Sequence, residues 1–171
     1  MTENRGITEG EGVTERVVRL RVNGRPCDVR VPVHWTLLEL LRDRLGMLDV
    51  KEGCGEGVCG TCTVLMEGEP VSACLVLAPR AAGRRITTAR GLGDGDSLHP
   101  LQKAFAAHGA AQCGFCTPGM LVTAFAFLQD HPAPSRDDIR RAIAGNLCRC
   151  TGYAKIIDAI ASVAPGGPAR G

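Results

Sequence analysis

Apolar and polar residues alternate with a period of two between residues 17 and 33. The run VVRLRVNGRPCDVRV, which begins at Val17, keeps this alternation on both sides of Asn23-Gly24. Such a dipeptide between two alternating runs predicts a β-hairpin with a tight turn. Further short strands are predicted over 63–66, 71–77 and 85–89.

Between the hairpin and these strands the apolar residues take up a helical period. Thr36 and Glu39 form a capping-box pair at the start of the segment, and Gly46 is a stop signal at its end. The apolar stripe consists of Leu37, Leu38, Leu41 and Leu45. Strands and one short helix in this order predict an α+β unit with a mixed sheet.

Beyond residue 97 the apolar positions recur with a helical period. Four helices are predicted, beginning at Ser97, Thr117, Ser135 and Tyr153. Thr117 is expected to be an N-cap because Pro118 suits the first helical position. Four helices joined by short turns predict a small bundle.

The change of period predicts two domains joined by a linker rich in glycine and aspartate. The predicted boundaries are a disordered tail over 1–15, an α+β domain over 16–90, a linker over 91–97, a helical domain over 98–164 and a disordered tail over 165–171.

Composition and charge exclude several classes of function. The 171 residues include 20 basic and 18 acidic side chains, so the net charge of +2 gives no electrostatic basis for binding nucleic acid or an acidic membrane. No apolar run approaches the roughly 20 residues that span a bilayer. The polar, acidic N-terminal stretch does not resemble an export signal. We therefore expect a soluble cytoplasmic protein that binds no nucleic acid and does not insert into a membrane.

The cysteines carry the candidate chemistry. There are nine, an odd number, and a reducing cytosol disfavours a disulfide framework, so metal ligation is the leading interpretation. Eight of them form two tight sets of four, one in each predicted domain. The ninth, Cys27, follows Pro26 on a predicted strand and is expected to be a small buried apolar residue.

The loop GCGEGVCGTC at 53–62 contains the dinucleotide-binding pattern G-x-G-x-x-G, at Gly55, Gly57 and Gly60. A dinucleotide turn needs a strand before the first glycine and a helix after the last. Here a polar stretch precedes the loop and a predicted strand follows it. The loop is therefore not expected to bind a nucleotide phosphate.

The same loop has the spacing C-x4-C-x2-C, and eleven residues separate its last cysteine from a fourth. This set is Cys54, Cys59, Cys62 and Cys74. The spacing is that of plant-type ferredoxins, whose four thiolates hold a 2Fe–2S cluster. The intervening glycines permit a backbone that wraps a cluster and points N–H groups at its sulfurs. A zinc ribbon is the alternative, but zinc sites usually present two C-x2-C pairs and this set has one.

The helical half carries a second set, with C-x2-C followed after 31 residues by C-x-C. Its members are Cys113, Cys116, Cys148 and Cys150. Each pair precedes a predicted helix, so two loops at one end of a bundle would present four thiolates near positive helix N-termini. Spacing alone leaves zinc and an iron–sulfur cluster open for this set. A first cluster in the same chain favours iron, because two redox centres make a relay.

Three segments resemble the small iron–sulfur subunit of the xanthine oxidase family of molybdenum hydroxylases. They are GCGEGVCGTC at 53–62, QCGFCTPGM at 112–120 and GNLCRCTGY at 145–153. They follow the family's domain order, and the resemblance extends from about Val17 to Val163. It implies a β-grasp, plant-type ferredoxin-like domain followed by a four-helix-bundle domain, each with one 2Fe–2S cluster.

The resemblance also implies a role for each set of cysteines. The set beginning at Cys54 would hold the cluster nearer FAD, and the set beginning at Cys113 the cluster nearer a molybdenum–pterin cofactor. Gln112 and Cys150 match positions that contact the pterin in that family. Electrons would pass from molybdenum through the helical-domain cluster and the ferredoxin-like cluster to FAD.

The implied assembly places the other cofactors on partner chains. Other family members fuse this region to flavin and molybdenum domains, whereas this chain stops near Val163. A large molybdenum subunit and a medium FAD subunit are therefore expected, in a heterotrimer or a dimer of heterotrimers. The chain would be the electron-transfer subunit of an oxidoreductase, without catalytic residues of its own. Two alternatives stay open: a freestanding two-cluster carrier for a flavin dehydrogenase, and a zinc-stabilised interaction module.

Overall fold

The computed structural model of the chain describes residues 13–94 and 97–164. A five-stranded mixed sheet comes first and is followed by helices, which confirms the α+β class. The strands are β1 (Glu15–Val22), β2 (Arg25–Pro32), β3 (Thr63–Met66), β4 (Glu69–Ser72) and β5 (Arg85–Thr87). The α-helices are α1 (Leu37–Glu39), α2 (Pro100–Ala107), α3 (Thr117–Asp130), α4 (Arg136–Ala142) and α5 (Ala154–Ala161).

The predicted hairpin forms around Asn23 and Gly24. Both residues have positive φ, 51° and 79°, as the tight turn between twisted strands requires. The sheet order is β2-β1-β5-β3-β4, in which β1 and β5 are parallel and the other neighbours antiparallel. The alternation along β1 buries Val18, Leu20 and Val22 on one face.

The predicted capping box begins α1, because Thr36 and Glu39 exchange side-chain and backbone hydrogen bonds. The helix then widens into a π-helical turn over Leu40–Arg44. This wider turn buries Leu40 beside Leu37, Leu38 and Leu41, although Leu40 lies outside the predicted stripe. These leucines cover the buried face of β1 and form the first core.

The strand predicted over 71–77 is wrong at both ends. β4 begins at Glu69, and after Ser72 the chain turns into a 3-10 helix over Ala73–Leu75. The backbone N–H of Ala73 donates to the carbonyl of Cys62 at 3.4 Å. The apolar run thus leaves the sheet and brings Cys74 next to the loop before β3.

Two helix starts differ from the prediction. α2 is capped by His99, not Ser97: its Nδ1 accepts the N–H of Leu101, and the side chain of Gln102 accepts the N–H of His99. α3 takes Cys116 as its N-cap, so that Thr117 is the first helical residue. The predicted Ser135 cap of α4 is confirmed.

The second core lies between the helices and the sheet. Its largest fully buried side chains are Leu101, Met120, Ile139, Ile143, Ile156 and Ile160. β3 serves both cores, because Val64 faces the first and Leu65, on the opposite face, packs into the second. β3 therefore packs against the first core with one face and against the helices of the second core with the other.

The predicted tails and linker lie partly outside the described residues. Residues 1–12, 95–96 and 165–171 are not described, whereas Thr14 accepts the N–H of Val33 at 2.9 Å and β1 begins at Glu15. Among the described helices, none combines the length and apolar character needed to cross a membrane.

Candidate metal centre

The first set of cysteines surrounds the loop between α1 and β3. Cys54, Cys59 and Cys62 lie on this loop, and Cys74 reaches it from the 3-10 helix after β4. Cys62 and Cys74 are buried, whereas Cys54 and Cys59 are partly exposed. The thiol of Cys54 neighbours that of Cys59, and the thiol of Cys62 neighbours that of Cys74. The set therefore consists of an outer and an inner pair.

The second set has the same arrangement at one end of the helices. Cys113 and Cys116 precede α3, and Cys148 and Cys150 precede α5. The Sγ atoms of the exposed pair, Cys113 and Cys150, lie 3.6 Å apart. Cys116, which is buried, contacts the partly buried thiol of Cys148. The structure thus brings together all four predicted members of this set.

Pairs of thiols suit a centre with two metal ions. Two thiolates on one tetrahedral metal, with bonds of about 2.3 Å, lie roughly 3.7 Å apart, close to the separation of Cys113 and Cys150. Within residues 13–94 and 97–164, no three Cys, His, Asp or Glu side chains gather closely enough for one ion. Two pairs per set match a 2Fe–2S cluster, in which each iron takes two thiolates.

The environment divides each set into readily and poorly ionised thiols. The backbone N–H of Glu56, followed by the Cys59 side chain, lowers the pKa of Cys54 to about 6. The N–H of Phe115 likewise lowers the pKa of Cys113. Burial raises the pKa of Cys62 to about 11 and that of Cys116 to about 12. Cys62 and Cys116 therefore become thiolates only beside a compensating cation, as metal binding provides.

Hydroxyl groups lie beside one thiol in each set. Thr61 Oγ1 is 3.2 Å from Cys59 Sγ, and Thr151 Oγ1 is 3.1 Å from Cys148 Sγ. Burial is the largest single influence on the pKa of Cys148 and raises it, but hydrogen bonds led by that of Thr151 bring the pKa below its ordinary value. Thr117 Oγ1, directly after Cys116, is buried without a partner in the described structure. An unused donor directly after a cysteine fits an acceptor-rich sulfide cluster.

The two cysteine loops contact each other directly. The N–H of Leu147 donates to the carbonyl of Cys59 at 2.9 Å, and the Asn146 side chain donates to the carbonyl of Gly60 at 2.9 Å. A side chain at Gly60 would overlap the carbonyl of Gly145, and one at Gly119 would overlap the carbonyl of Gly60. This junction was not predicted, although glycine at 60 and 119 is its signal in the sequence.

Tyr153 ties the second loop to this junction. Its hydroxyl accepts the N–H of Cys148 at 2.7 Å and donates to the carbonyl of Asn146 at 3.2 Å. Tyr153 is the N-cap of α5 and has a positive φ of 67°, an unusual conformation for a bulky residue. The cysteine loop, its cap and the junction thus form one hydrogen-bonded unit.

Apolar side chains are exposed around both sets. Val58 and Leu75, beside the first set, are 62% and 64% exposed. Phe115 and Leu147, beside the second, are 45% and 54% exposed. Gln112 is also exposed, as are Cys113 and Cys150. Both sets therefore have an outer side that a partner can cover.

Cys27 lies apart from both sets, on β2. It packs against the first core but is only partly buried, and its Sγ lies 3.6 Å from the carbonyl of Arg25. The expectation of a buried apolar residue is thus only half met.

Comparisons with known proteins match both halves of the chain. The family described as 2Fe-2S iron-sulfur cluster binding domain matches residues 20–88, and the family described as 2Fe-2S binding domain matches residues 88–161. The ferredoxin-like domain followed by a helical 2Fe–2S domain is therefore confirmed.

Relatives match over most of the chain. The small subunit of nicotine 6-hydroxylase from Paenarthrobacter nicotinovorans is 46% identical over 87% of this chain and 89% of its own. The structure of quinoline 2-oxidoreductase from Pseudomonas putida is 47% identical over 88% of this chain and 93% of that chain, with a TM-score of 0.86. The aldehyde oxidoreductase of Desulfovibrio desulfuricans is 46% identical, with a TM-score of 0.81, over 84% of this chain but 16% of its own.

Proposed function

Because the chain belongs to the small iron–sulfur subunits of the xanthine oxidase family of molybdenum hydroxylases, we propose that it relays electrons from a molybdenum–pterin centre to FAD. Two 2Fe–2S clusters on this chain would carry the electrons, each taking up and releasing one electron. Cys54, Cys59, Cys62 and Cys74 hold the cluster nearer FAD, and Cys113, Cys116, Cys148 and Cys150 hold the cluster nearer molybdenum. The units that carry them are 16–90 and 98–164.

The hydrogen bond between the cysteine loops is the observation that carries this proposal. Electron tunnelling weakens steeply with distance, so a relay needs its two centres close together and fixed. The carbonyl of Cys59 accepts the N–H of Leu147, the residue before Cys148. One hydrogen bond therefore connects a proposed ligand of one cluster to the neighbour of a proposed ligand of the other.

The exposed apolar residues support partner chains on both sides. Phe115 and Leu147 flank the cysteines of the second set, and Val58 and Leu75 flank those of the first. We place the molybdenum subunit on the former side, with Gln112 and Cys150 facing its pterin, and the FAD subunit on the latter. Catalytic residues belong to the molybdenum subunit, and the complex is a cytoplasmic heterotrimer or a pair of heterotrimers.

Metal analysis and electron paramagnetic resonance test the two clusters. The full chain is purified anaerobically, assayed for iron, zinc and sulfide, and reduced with dithionite. We expect about four irons per chain and two distinct 2Fe–2S signals. Stoichiometric zinc with no signal would overturn the proposal in favour of a structural metal module.

Substitution of one ligand tests the assignment of the sets. Cys148→Ser should abolish one of the two signals and about half of the iron, because a hydroxyl oxygen is a much poorer ligand for an iron–sulfur cluster than a soft thiolate. Cys27→Ser is the matched control and should keep both signals, since Cys27 lies outside both sets. Loss of both signals in Cys148→Ser would contradict separate ligand sets.

Purification from the native host tests the partners. A subunit should co-purify with two larger chains that contain molybdenum and FAD. A chain that purifies alone with both clusters would instead be a freestanding carrier for a flavin dehydrogenase.

A further inference from the structure

We propose that Thr61 and Thr151 set the reduction potentials of the two clusters, each by donating its hydroxyl hydrogen to a ligand thiolate. This inference rests on the proposed function, because it requires a cluster in each cysteine set. Each threonine lies beside one thiol, Thr61 by Cys59 and Thr151 by Cys148. They act as tuning residues, since neither is a proposed ligand.

The hydrogen bonds around Thr151 fix the direction of its donation. Its Oγ1 accepts the N–H of Tyr153 at 3.2 Å, which leaves the hydroxyl hydrogen free to point elsewhere. The nearest acceptor is Cys148 Sγ at 3.1 Å. A metal-bound thiolate has no hydrogen to offer, so in the loaded protein only the threonine can be the donor.

The contacts of Thr61 also identify its hydroxyl as a donor to the thiolate. The residue is 6% exposed, and its hydroxyl lies 3.2 Å from Cys59 Sγ and 3.5 Å from the carbonyl of Lys51. One hydrogen cannot serve both acceptors fully. A charged thiolate accepts more strongly than a neutral carbonyl, and the sulfur is also nearer despite its larger radius.

Gly53 makes room for the contact between Thr61 and Cys59. A Cβ at this position would lie 2.7 Å from Thr61 Oγ1 and 3.0 Å from Cys59 Sγ. Any side chain there would push the hydroxyl and the thiol apart. The contact is therefore built into the loop.

The sign of the effect follows from charge. One electron, supplied by the molybdenum side in the enzyme or by dithionite in the test, makes the cluster with its thiolates one unit more negative. A hydrogen bond to a thiolate stabilises the more negative state more strongly, and so it raises the reduction potential. Loss of the hydroxyl should lower the potential of that cluster alone.

The two cysteines that bear the tuned thiolates adjoin the junction between the loops. Cys59 supplies the carbonyl that accepts the N–H of Leu147, and Cys148 follows Leu147. Each hydroxyl therefore acts on a cysteine whose backbone takes part in this contact or directly follows it. Loss of the Thr61 hydroxyl lowers the reduction potential of the acceptor cluster and so opposes electron transfer towards FAD. Loss of the Thr151 hydroxyl lowers the reduction potential of the donor cluster and so favours this transfer.

Redox titration of single variants tests the inference. Thr61→Val and Thr151→Val keep the shape and remove the hydroxyl, and the midpoint potential of each signal is followed by electron paramagnetic resonance on the full chain. Each should shift one midpoint downward by enough to change the reduced-to-oxidised ratio about tenfold, which is about 59 mV for a one-electron couple. The other midpoint should stay in place.

Two further variants separate tuning from structure. Thr61→Ser and Thr151→Ser restore the donor and should return the midpoints to the original values. Thr63→Val is the matched control, because its buried hydroxyl donates to the carbonyl of Gly60 at 2.7 Å and not to sulfur. It should destabilise the loop without moving either potential.

The outcomes distinguish this inference from the proposed function. Two signals whose midpoints are the same in the valine variants would overturn the inference and leave the relay intact. A valine shift that serine does not reverse, or an equal shift in Thr63→Val, would overturn it as well. Absence of both signals in the unaltered protein would overturn the relay itself. If Thr61→Val does not bind a cluster, Thr151→Val provides the same test, because Thr151 is less buried than Thr61.

Discussion

Asn146 shows how much of the site depends on one side chain outside the cysteines. It is 3% exposed, and its amide group bonds to Gly60, 86 residues away in the chain. Its own carbonyl accepts the hydroxyl of Tyr153. A short polar side chain thus joins the loop of one cysteine set to the loop of the other, and an apolar one would leave the backbone hydrogen bond from Leu147 to Cys59 without this support.

Asn146→Ala should destabilise the protein moderately. The carbonyl of Gly60 would keep the hydroxyl of Thr63 as a donor, so the loss is one hydrogen bond and a small void, about 1–2 kcal/mol. In a chain of this size, each kcal/mol lost lowers Tm by roughly 2–4 °C. Thermal unfolding followed by circular dichroism measures it.

Gln129→Ala is the comparison for Asn146→Ala. Gln129 is an exposed amide on α3, and its loss should change stability by less than about 0.5 kcal/mol. Equal Tm values for the two variants would show that the Asn146 contact does not hold the loops.

The elements show which local signals decide a boundary. The hairpin and the caps at Thr36 and Ser135 were predicted correctly, because turn and cap chemistry act within four residues. The start of α2 was missed because Ser97 is a good cap, but the residue before a proline avoids the helical conformation. His99, before Pro100, therefore becomes the cap. The end of β4 was missed because Cys74 is drawn to Cys62 by tertiary structure, which periodicity does not encode.

The His99 cap should make α2 sensitive to acid. Burial lowers the pKa of His99 below its ordinary value near 6.5, and protonation would also remove the Nδ1 lone pair that accepts the N–H of Leu101. Above pH 6.5 the contribution is complete. As the pH falls below 6.5, the unfolded chain binds the proton first, so the free energy of unfolding decreases. The decrease is at most the contribution of one N-cap to stability, about 1 kcal/mol.

His99→Asn isolates this effect, since asparagine caps helices and does not titrate in this range. Tm measured from pH 7.5 to 5.5 should fall more steeply for the unaltered protein than for the variant. Parallel curves would mean that His99 does not titrate as its burial requires.

At the scale of the whole molecule, the sequence predicted which cysteines make up each set better than it predicted the contact between the two cysteine loops. Spacing grouped the eight cysteines into the sets that the fold brings together, because each set contains cysteines a few residues apart on one loop. The ligand roles themselves stay a prediction. The bond between Cys59 and Leu147 was not predictable, since it depends on how α3 packs against β3. Packing between distant segments leaves no periodic trace.

Gly119→Ala tests this packing. Alanine in place of glycine usually stabilises a helix by about 1 kcal/mol, but here its methyl group would overlap the carbonyl of Gly60. Overpacking against backbone costs about 1–3 kcal/mol, so the net change should be a lower Tm. Hydrogen exchange should increase at the cysteine loops of both sets.

Gly145→Ala is the matched control for Gly119→Ala. Gly145 lies in the same junction, but a Cβ there has no neighbour within 4 Å and its φ is not positive. Its free energy of unfolding should stay within about 0.5 kcal/mol of the original. A stable Gly119→Ala variant would show that α3 can move away from the loop without cost.

The position of β3 has a consequence for how the chain is made. All five strands have left the ribosome once Thr87 has emerged. The face of β3 that bears Leu65, however, is covered only by helices that are synthesised later. During that interval the nascent chain exposes Leu65, and the second set of cysteines has not yet been made. Before α3 has closed over the strand, the nascent chain is therefore open to aggregation through this face.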